Sequence, residues 1–187
     1  MIVVEVWTDG SGLATGGPAG WAAVLLAVDE HGEVLRTLEL SGPIEYGTNN
    51  VAELTAVLRG LEAIERPAVV RVITDSEYVM KAYTDGWLAK WRRNGWRNSQ
   101  RRPVKNRDLW ETLDAEVRRH REVSWQHVKG HVAERRCACG WRGALKHRRC
   151  PSCDEATTRH DVFPFNARCD ELAGRARLDL IERTAAA

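Results

Sequence analysis

Four acidic residues stand at points where the chain changes direction. They are Asp9 in WTDGSG, Glu53 in NNVAELTAV, Asp75 in ITDSEY and Asp170 in NARCDELAGRA. Carboxylates brought together repel one another unless cations sit between them. Grouped, they form a hard oxygen-donor site for Mg²⁺ or Mn²⁺, and two such ions can clamp a phosphodiester for in-line attack by water. Spacing alone leaves plainer roles open. Asp9 and Asp75 suit turns, Glu53 suits a capping box with Asn50, and Asp170 suits the first turn of a helix.

A second set of chemical groups lies late in the chain. Cys137-Ala-Cys139 is followed after ten residues by Cys150-Pro-Ser-Cys153, giving C-x-C-x10-C-x2-C. Two close pairs on a short loop supply two thiolates each to a tetrahedral Zn²⁺ site, with Gly140 and Pro151 suited to the turns. His147 or His160 could replace one thiolate. Free thiols and a redox disulfide are the alternatives. Cys169, beside Asp170, reads as a packed core cysteine.

Charge is distributed unevenly around a net +2. Residues 1–66 hold ten acids against three arginines, whereas residues 86–107 hold eight bases and no acid. An acidic half and a basic segment in one domain suggest a cation site near a polyanion site. In the basic segment Trp87, Trp91 and Trp96 interleave with Lys90, Arg92, Arg93, Arg97, Arg101, Arg102 and Lys105. Such bases neutralise phosphates in a sequence-independent, salt-sensitive way. At least one of these tryptophans should pack the segment onto the core.

The elements that must position these groups follow from patterning. Strands are expected at 2–8, 21–28, 33–40, 68–74 and 122–128, with TGGPAG and SGPIEYGTNN as loops. Apolar spacing predicts a helix over 51–64, capped by Asn50. Further helices are expected near 76–83, 106–120 and 167–182. The order gives an α/β fold with one mixed sheet and helices packed on it. If the first and fourth strands are parallel neighbours, Asp9 and Asp75 lie at adjacent C-terminal ends, where ligands of such sheets collect. At 187 residues, 43% hydrophobic and 29% charged, the chain suits one globular domain. No apolar run approaches the roughly 20 residues of a membrane helix. The N-terminus reads as a strand rather than a signal peptide, so a reducing cytoplasm and a monomer are expected.

TDGSG, TNNVAELTAVLRGLEAI, ITDSEYV, GWLAKWRRNGWRNSQRRPVKNRDLWETLDAEV, VKGH and NARCDELA occur in the order seen in bacterial type 1 ribonuclease H, which the chain resembles over nearly its whole length except 132–165. The resemblance implies a ribonuclease H-like five-stranded sheet, three antiparallel strands then parallel ones, with helices on both faces. It implies cleavage of the RNA strand of RNA–DNA hybrids, leaving 5′-phosphate and 3′-hydroxyl ends. Two divalent ions would be held by Asp9, Glu53, Asp75 and Asp170. His131 of VKGH would protonate the leaving group or help release product, which an imidazole of pKa about 6.5 can do. Thr48, Asn49 and Asn50 would read the 2′-hydroxyl, and the segment 87–107 would be the family's basic protrusion.

Two departures stand out. Glu77 occupies a place often held by glutamine, and a carboxylate cannot donate as the amide does. Thr15 and Gly16 replace a common Asn-Pro pair. Residues 132–165 read as an inserted zinc-ribbon-like loop within a single domain spanning 1–187. A hybrid-binding module without chemistry, and a DNA nuclease or polynucleotidyl transferase on the same fold, are the rival functions.

Overall fold

A computed structural model describes every residue except 131, 132, 145, 147 and 187, together with all side chains of the remainder but that of Arg135. Valine-rich β1 (Val3–Ser11) is the centre of the main sheet, paired antiparallel with β2 (Gly17–Val28) and parallel with β4 (Val69–Thr74). Beyond β2 lies antiparallel β3 (Val34–Gly47), and beyond β4 lies parallel β5 (Glu122–His127), giving the order β3-β2-β1-β4-β5. The sheet carries α1 (Asn49–Glu62), α2 (Glu77–Thr84), α3 (Trp87–Arg93), α4 (Arg107–Arg119) and α5 (Pro164–Ala185).

β2 shows why both faces are covered. Side chains alternate along a strand, and here both sets are apolar. Ala23 and Leu25 join Leu54, Val57 and Leu61 of α1 and Trp110 and Leu113 of α4. Ala22, Val24 and Leu26 join Cys169 and Ala173 of α5 on the other face. The fully buried Cys169 donates to the Trp7 carbonyl at 3.2 Å.

The patterning places the elements, and their ends differ in instructive ways. Strand β3 continues through Gly47 rather than ending at 40, because SGPIEYG pairs with the start of β2, which itself begins at Gly17. Helix α1 begins at Asn49, and its cap is Thr48, not Asn50: the Thr48 hydroxyl accepts from the Val51 amide at 3.4 Å. Glu53 is therefore not half of a capping box. Helix α5 starts three residues before its expected position, at Pro164, which suits a first helical turn. Residues 133–161 form a separate small sheet, β7-β6-β8, from Ala133–Arg136 (β6), Arg142–Gly143 (β7) and Thr158–Asp161 (β8). Among the described residues no helix is long and apolar enough to cross a membrane.

The basic segment contains α3 and a tight turn closed by Asn98 and Arg102. Its tryptophans face inward. Trp91 meets Trp110 edge-on at 5.5 Å, and Trp96, 8% exposed, lies 6.3 Å from Trp91 with the Arg107 guanidinium over its ring. Trp96 supplies the packing expected of at least one tryptophan in this segment, its ring set against Trp91 and the Arg107 guanidinium. Trp96→Ala should lower stability by about 3 kcal/mol in urea unfolding, and Trp96→Phe by much less. A loss below about 0.5 kcal/mol for the alanine variant would contradict this packing role.

Candidate active site

The parallel pairing of β1 and β4 sets Thr8 opposite Thr74, so Asp9 and Asp75 emerge side by side at the strand ends. Glu53 reaches them from the second turn of α1. The approach is close because residue 10 has no side chain. A Cβ on Gly10 would stand 2.5 Å from the Glu53 amide nitrogen and 2.7 Å from the Ala52 carbonyl carbon. One carboxylate oxygen each from Asp9, Glu53 and Asp75 lies within 4.8 Å of the others. Asp170, from the second turn of α5, lines the same open cleft of about 490 Å³.

Neighbouring groups fix this cluster. The Gly10 amide donates to Asp9 Oδ1 at 2.7 Å. Asn49 Nδ2 donates to Glu53 Oε1 at 3.3 Å, while Asn49 Oδ1 accepts from the Gly12 amide at 3.0 Å. Asn49 therefore ties the glycine-rich loop to the head of α1. Glu53 Oε2 is buried and has no hydrogen-bond partner among the described residues.

Burial, and then the charges of Asp75 and Asp170, push the Asp9 carboxyl up to about 8. Burial, followed by Asp9 and Asp75, likewise raises Glu53 well above the ordinary value. A buried, orphaned carboxylate oxygen beside two further carboxylates fits a hard divalent cation. Ligand oxygens of an octahedral Mg²⁺ stand about 3.0 Å apart when adjacent and about 4.2 Å when opposite, both inside the 4.8 Å that bounds the three oxygens.

Half-buried Asn49 and exposed Asn50 line this cleft, and half-buried Thr48 precedes them as the helix cap. Asn50 and Tyr78 also line a neighbouring cleft of about 390 Å³ with Trp91, Arg102 and Lys105. The carboxylates and the basic protrusion thus share one continuous rim. Arg93, Arg97, Arg101, Arg102 and Lys105 are exposed, whereas Arg92 leans onto α4, 3.6 Å from Asp114. Glu77 pairs with Lys81 at 2.6 Å, which holds its carboxyl below the ordinary value.

Sequence reasoning did not pick out Tyr78, or His127, whose Nε2 lies 3.2 Å from the Asp75 carbonyl oxygen. The parallel register that puts His127 beside Thr74 is the signal that would have found it. His131 lies outside the described residues. Its neighbour Gly130 abuts the site so closely that a Cβ there would overlap the Asp75 carboxylate.

The ribonuclease H family model matches residues 2–138. The chain belongs to the ribonuclease H family. Ribonuclease H of Bordetella pertussis is 45% identical over 131 residues, 70% of this chain and 79% of that protein. Ribonuclease H of Dinoroseobacter shibae is 49% identical over 126 residues, 67% and 78% of the two chains. Among solved structures, LC9-RNase H1, a type 1 enzyme with the type 2 active-site motif, superposes with a TM-score of 0.69 at 21% identity, covering 96% of this chain and 74% of that one. LC11-RNase H1, solved with an RNA/DNA hybrid, gives 0.56 at 20% identity over 95% and 99%. These structural likenesses establish the fold.

The cysteine segment forms a second cluster. Sγ of Cys137 lies 3.4 Å from that of Cys153, and Sγ of Cys139 lies 3.6 Å from that of Cys150. Disulfide sulfurs stand about 2.05 Å apart. Thiolates around Zn²⁺ at about 2.3 Å stand roughly 3.8 Å apart, so the spacing fits a tetrahedral metal. His160 Nε2 is engaged instead at 2.8 Å with Thr158 Oγ1, and His147 lies outside the described residues.

The raised Asp9 carboxyl has a stability consequence in metal-free protein. Between its ordinary value of 3.8 and about 8, the folded chain binds a proton that the unfolded chain has released. Stability therefore falls as pH rises through that window. Asp9→Asn removes this cost. In chelator at pH 8 it should melt roughly 5 °C above wild type, from about 2 kcal/mol, with the gap closing toward pH 4. Equal melting temperatures at pH 8 would count against the buried-charge account.

Proposed function

We propose that this ribonuclease H hydrolyses the RNA strand of RNA–DNA hybrids with two divalent cations, Mg²⁺ or Mn²⁺, held by Asp9, Glu53, Asp75 and Asp170. The observation that carries the reading is the cluster of buried Asp9 and Glu53 with half-buried Asp75, Glu53 Oε2 unpartnered, at the head of a helix capped by Thr48. Bound cations neutralise the carboxylates and supply Lewis-acid stabilisation to a phosphodiester under attack by water, leaving 5′-phosphate and 3′-hydroxyl ends.

The chain's own groups hold the arrangement. The Gly10 amide orients Asp9, and Asn49 orients Glu53. The polar corner of Thr48, Asn49 and Asn50 offers hydrogen bonds to a 2′-hydroxyl, the group that separates RNA from DNA. Arg93, Arg97, Arg101, Arg102 and Lys105 lie exposed along the protrusion for the opposite phosphates, with Trp91 and Arg92 at its base. His131, four residues beyond the end of β5 and next to the Gly130 that abuts Asp75, is assigned to protonate the leaving 3′-oxygen.

One structural Zn²⁺ is assigned to Cys137, Cys139, Cys150 and Cys153, within an insertion over 132–165 of a single domain. The separate small sheet of this segment supports that division. A monomer suffices for catalysis, since one chain provides all four carboxylates. The five unpaired cysteines suit a reducing cytoplasm.

Labelled RNA–DNA hybrid, double-stranded DNA and single-stranded RNA, each incubated with Mg²⁺, separate this reading from its rivals. Hybrid alone should be cut, and Asp75→Asn should lower the rate by about 10³-fold or more. Hybrid binding with no cleavage by wild type would leave a binding module, and cleavage of duplex DNA would leave the DNA nuclease. In a separate measurement, elemental analysis should find about one zinc per chain and none in Cys150→Ser. Zinc retained in that variant would remove the assignment.

A further inference from the structure

Both stems of the cysteine-bearing segment leave the protein at the carboxylate site. One starts at Gly130, packed against the Asp75 carboxylate, and leads into β6. The other, β8, ends at Asp161, three residues before the helix that carries Asp170. Four-residue β6 pairs antiparallel with β8, and its last residue, Arg136, shares a cleft with Ala167 and Glu171 of α5. At the far end of β6 the four cysteines gather the loops.

Residues 133–163 contain seven Lys and Arg against four Asp and Glu, so a surplus of positive charge remains after internal pairing. Three arginines are held by acids of the same segment: Arg136 by Glu134 at 2.6 Å, Arg149 by Asp154 at 2.8 Å and Arg159 by Asp161 at 3.2 Å. Lys146 and Arg148 are exposed and have no ion pair among the described residues. Arg142, 64% exposed, stands 3.7 Å from a Glu134 already engaged by Arg136. Lys146 and Arg148 belong to the loop between the two cysteine pairs, and Arg142 opens β7 opposite Arg136.

We propose that the cysteine-held segment is a second grip on the substrate. Lys146, Arg148 and Arg142 face phosphates of the duplex away from the cleaved bond. The occupant is the nucleic acid backbone. The unpaired charge complements it, and the stem is continuous with the site where that backbone must lie. The inference rests on the hybrid-cleaving reading above. It assigns the bases a contact that depends on the ordered loops and not on the carboxylates.

The test is binding of a labelled hybrid in buffer free of Mg²⁺ and Mn²⁺ but without chelator, so that zinc stays bound and no turnover occurs, by the double variant Lys146→Glu/Arg148→Glu. Its dissociation constant should rise about tenfold at low salt, and the salt slope should fall by roughly two. The penalty should appear on a long hybrid and vanish on one trimmed to the carboxylate cleft. Zinc content and melting temperature of the variant serve as folding controls. Should it lose zinc, Arg142→Glu alone takes its place, with a slope change of roughly one. Wild-type affinity and slope in a zinc-replete variant, or an equal penalty on both hybrids, would overturn the proposal. Failure of wild type to cut hybrid in Mg²⁺ would instead overturn the hydrolase reading and leave this comparison decidable.

Discussion

Mutual repulsion among carboxylates held within 4.8 Å is the constraint around which the rest of the protein is arranged. At an effective dielectric of 20, two full charges at that separation cost about 3.5 kcal/mol, and Asp9 and Glu53 are each only 5% exposed. A flexible frame would relieve this cost by letting the side chains swing into water. Two relief routes remain in a rigid one, protonation or a cation, and they compete for the same oxygens. The raised Asp9 and Glu53 carboxyls record the first route, and the unpartnered Glu53 Oε2 offers an acceptor to the second. The site is therefore strained by its charge rather than by its backbone.

Rigidity comes from burying the sheet on both faces. Alternate residues of β2 lock α1 on one side and α5 on the other, and those are the helices that deliver Glu53 and Asp170. β1, between β2 and β4, delivers Asp9 from the sheet's centre. A shift of either helix along the sheet would break apolar packing before it separated the acids. Gly10 closes the arrangement, because any side chain there would meet α1 backbone. Packing energy distributed over two cores thus holds a local electrostatic cost that no single contact could hold.

Much of this was legible in the chain. Asp9 and Asp75 end valine-rich strands, and period-two and helical patterns locate the sheet and α1 without ambiguity of type. The cysteine spacing alone indicates two turns of paired thiolates. What patterning could not supply were choices settled by tertiary contact. Thr48 and Asn50 are both good caps, and the pairing of SGPIEYG with β2 decides for Thr48 by fixing where the strand must turn into helix. Trp96 sits among arginines, where spacing alone does not separate a packed tryptophan from an exposed one. The position of Trp91 against Trp110 draws it into the core. His127 has no distinguishing sequence context at all, since its place beside Asp75 exists only through parallel pairing of β4 and β5.

The cysteine segment obeys a different rule from the domain that bears it. Its large apolar side chains are few, and its buried residues include Cys137, Cys150 and Thr157 rather than a cluster of aliphatics. A chain of about thirty residues with so little apolar surface cannot offset the backbone entropy of ordering, roughly 1–2 kcal/mol for each residue fixed. Ion pairs such as Arg149–Asp154 are solvent-exposed and add little. Among the described residues the sulfur cluster is the feature that a bound metal would turn into enough binding energy to define the segment, since structural thiolate sites bind zinc at about 10–16 kcal/mol. Because its stems begin at Gly130 and end at α5, ordering the segment also limits the positions open to residues on either side of Asp75 and Asp170. A fold stabilised by apolar packing thus carries, on stems beside its carboxylates, a segment whose four thiols would suit a softer metal than those hard oxygens would, and donor chemistry separates the two sites: sulfur in one, oxygen in the other.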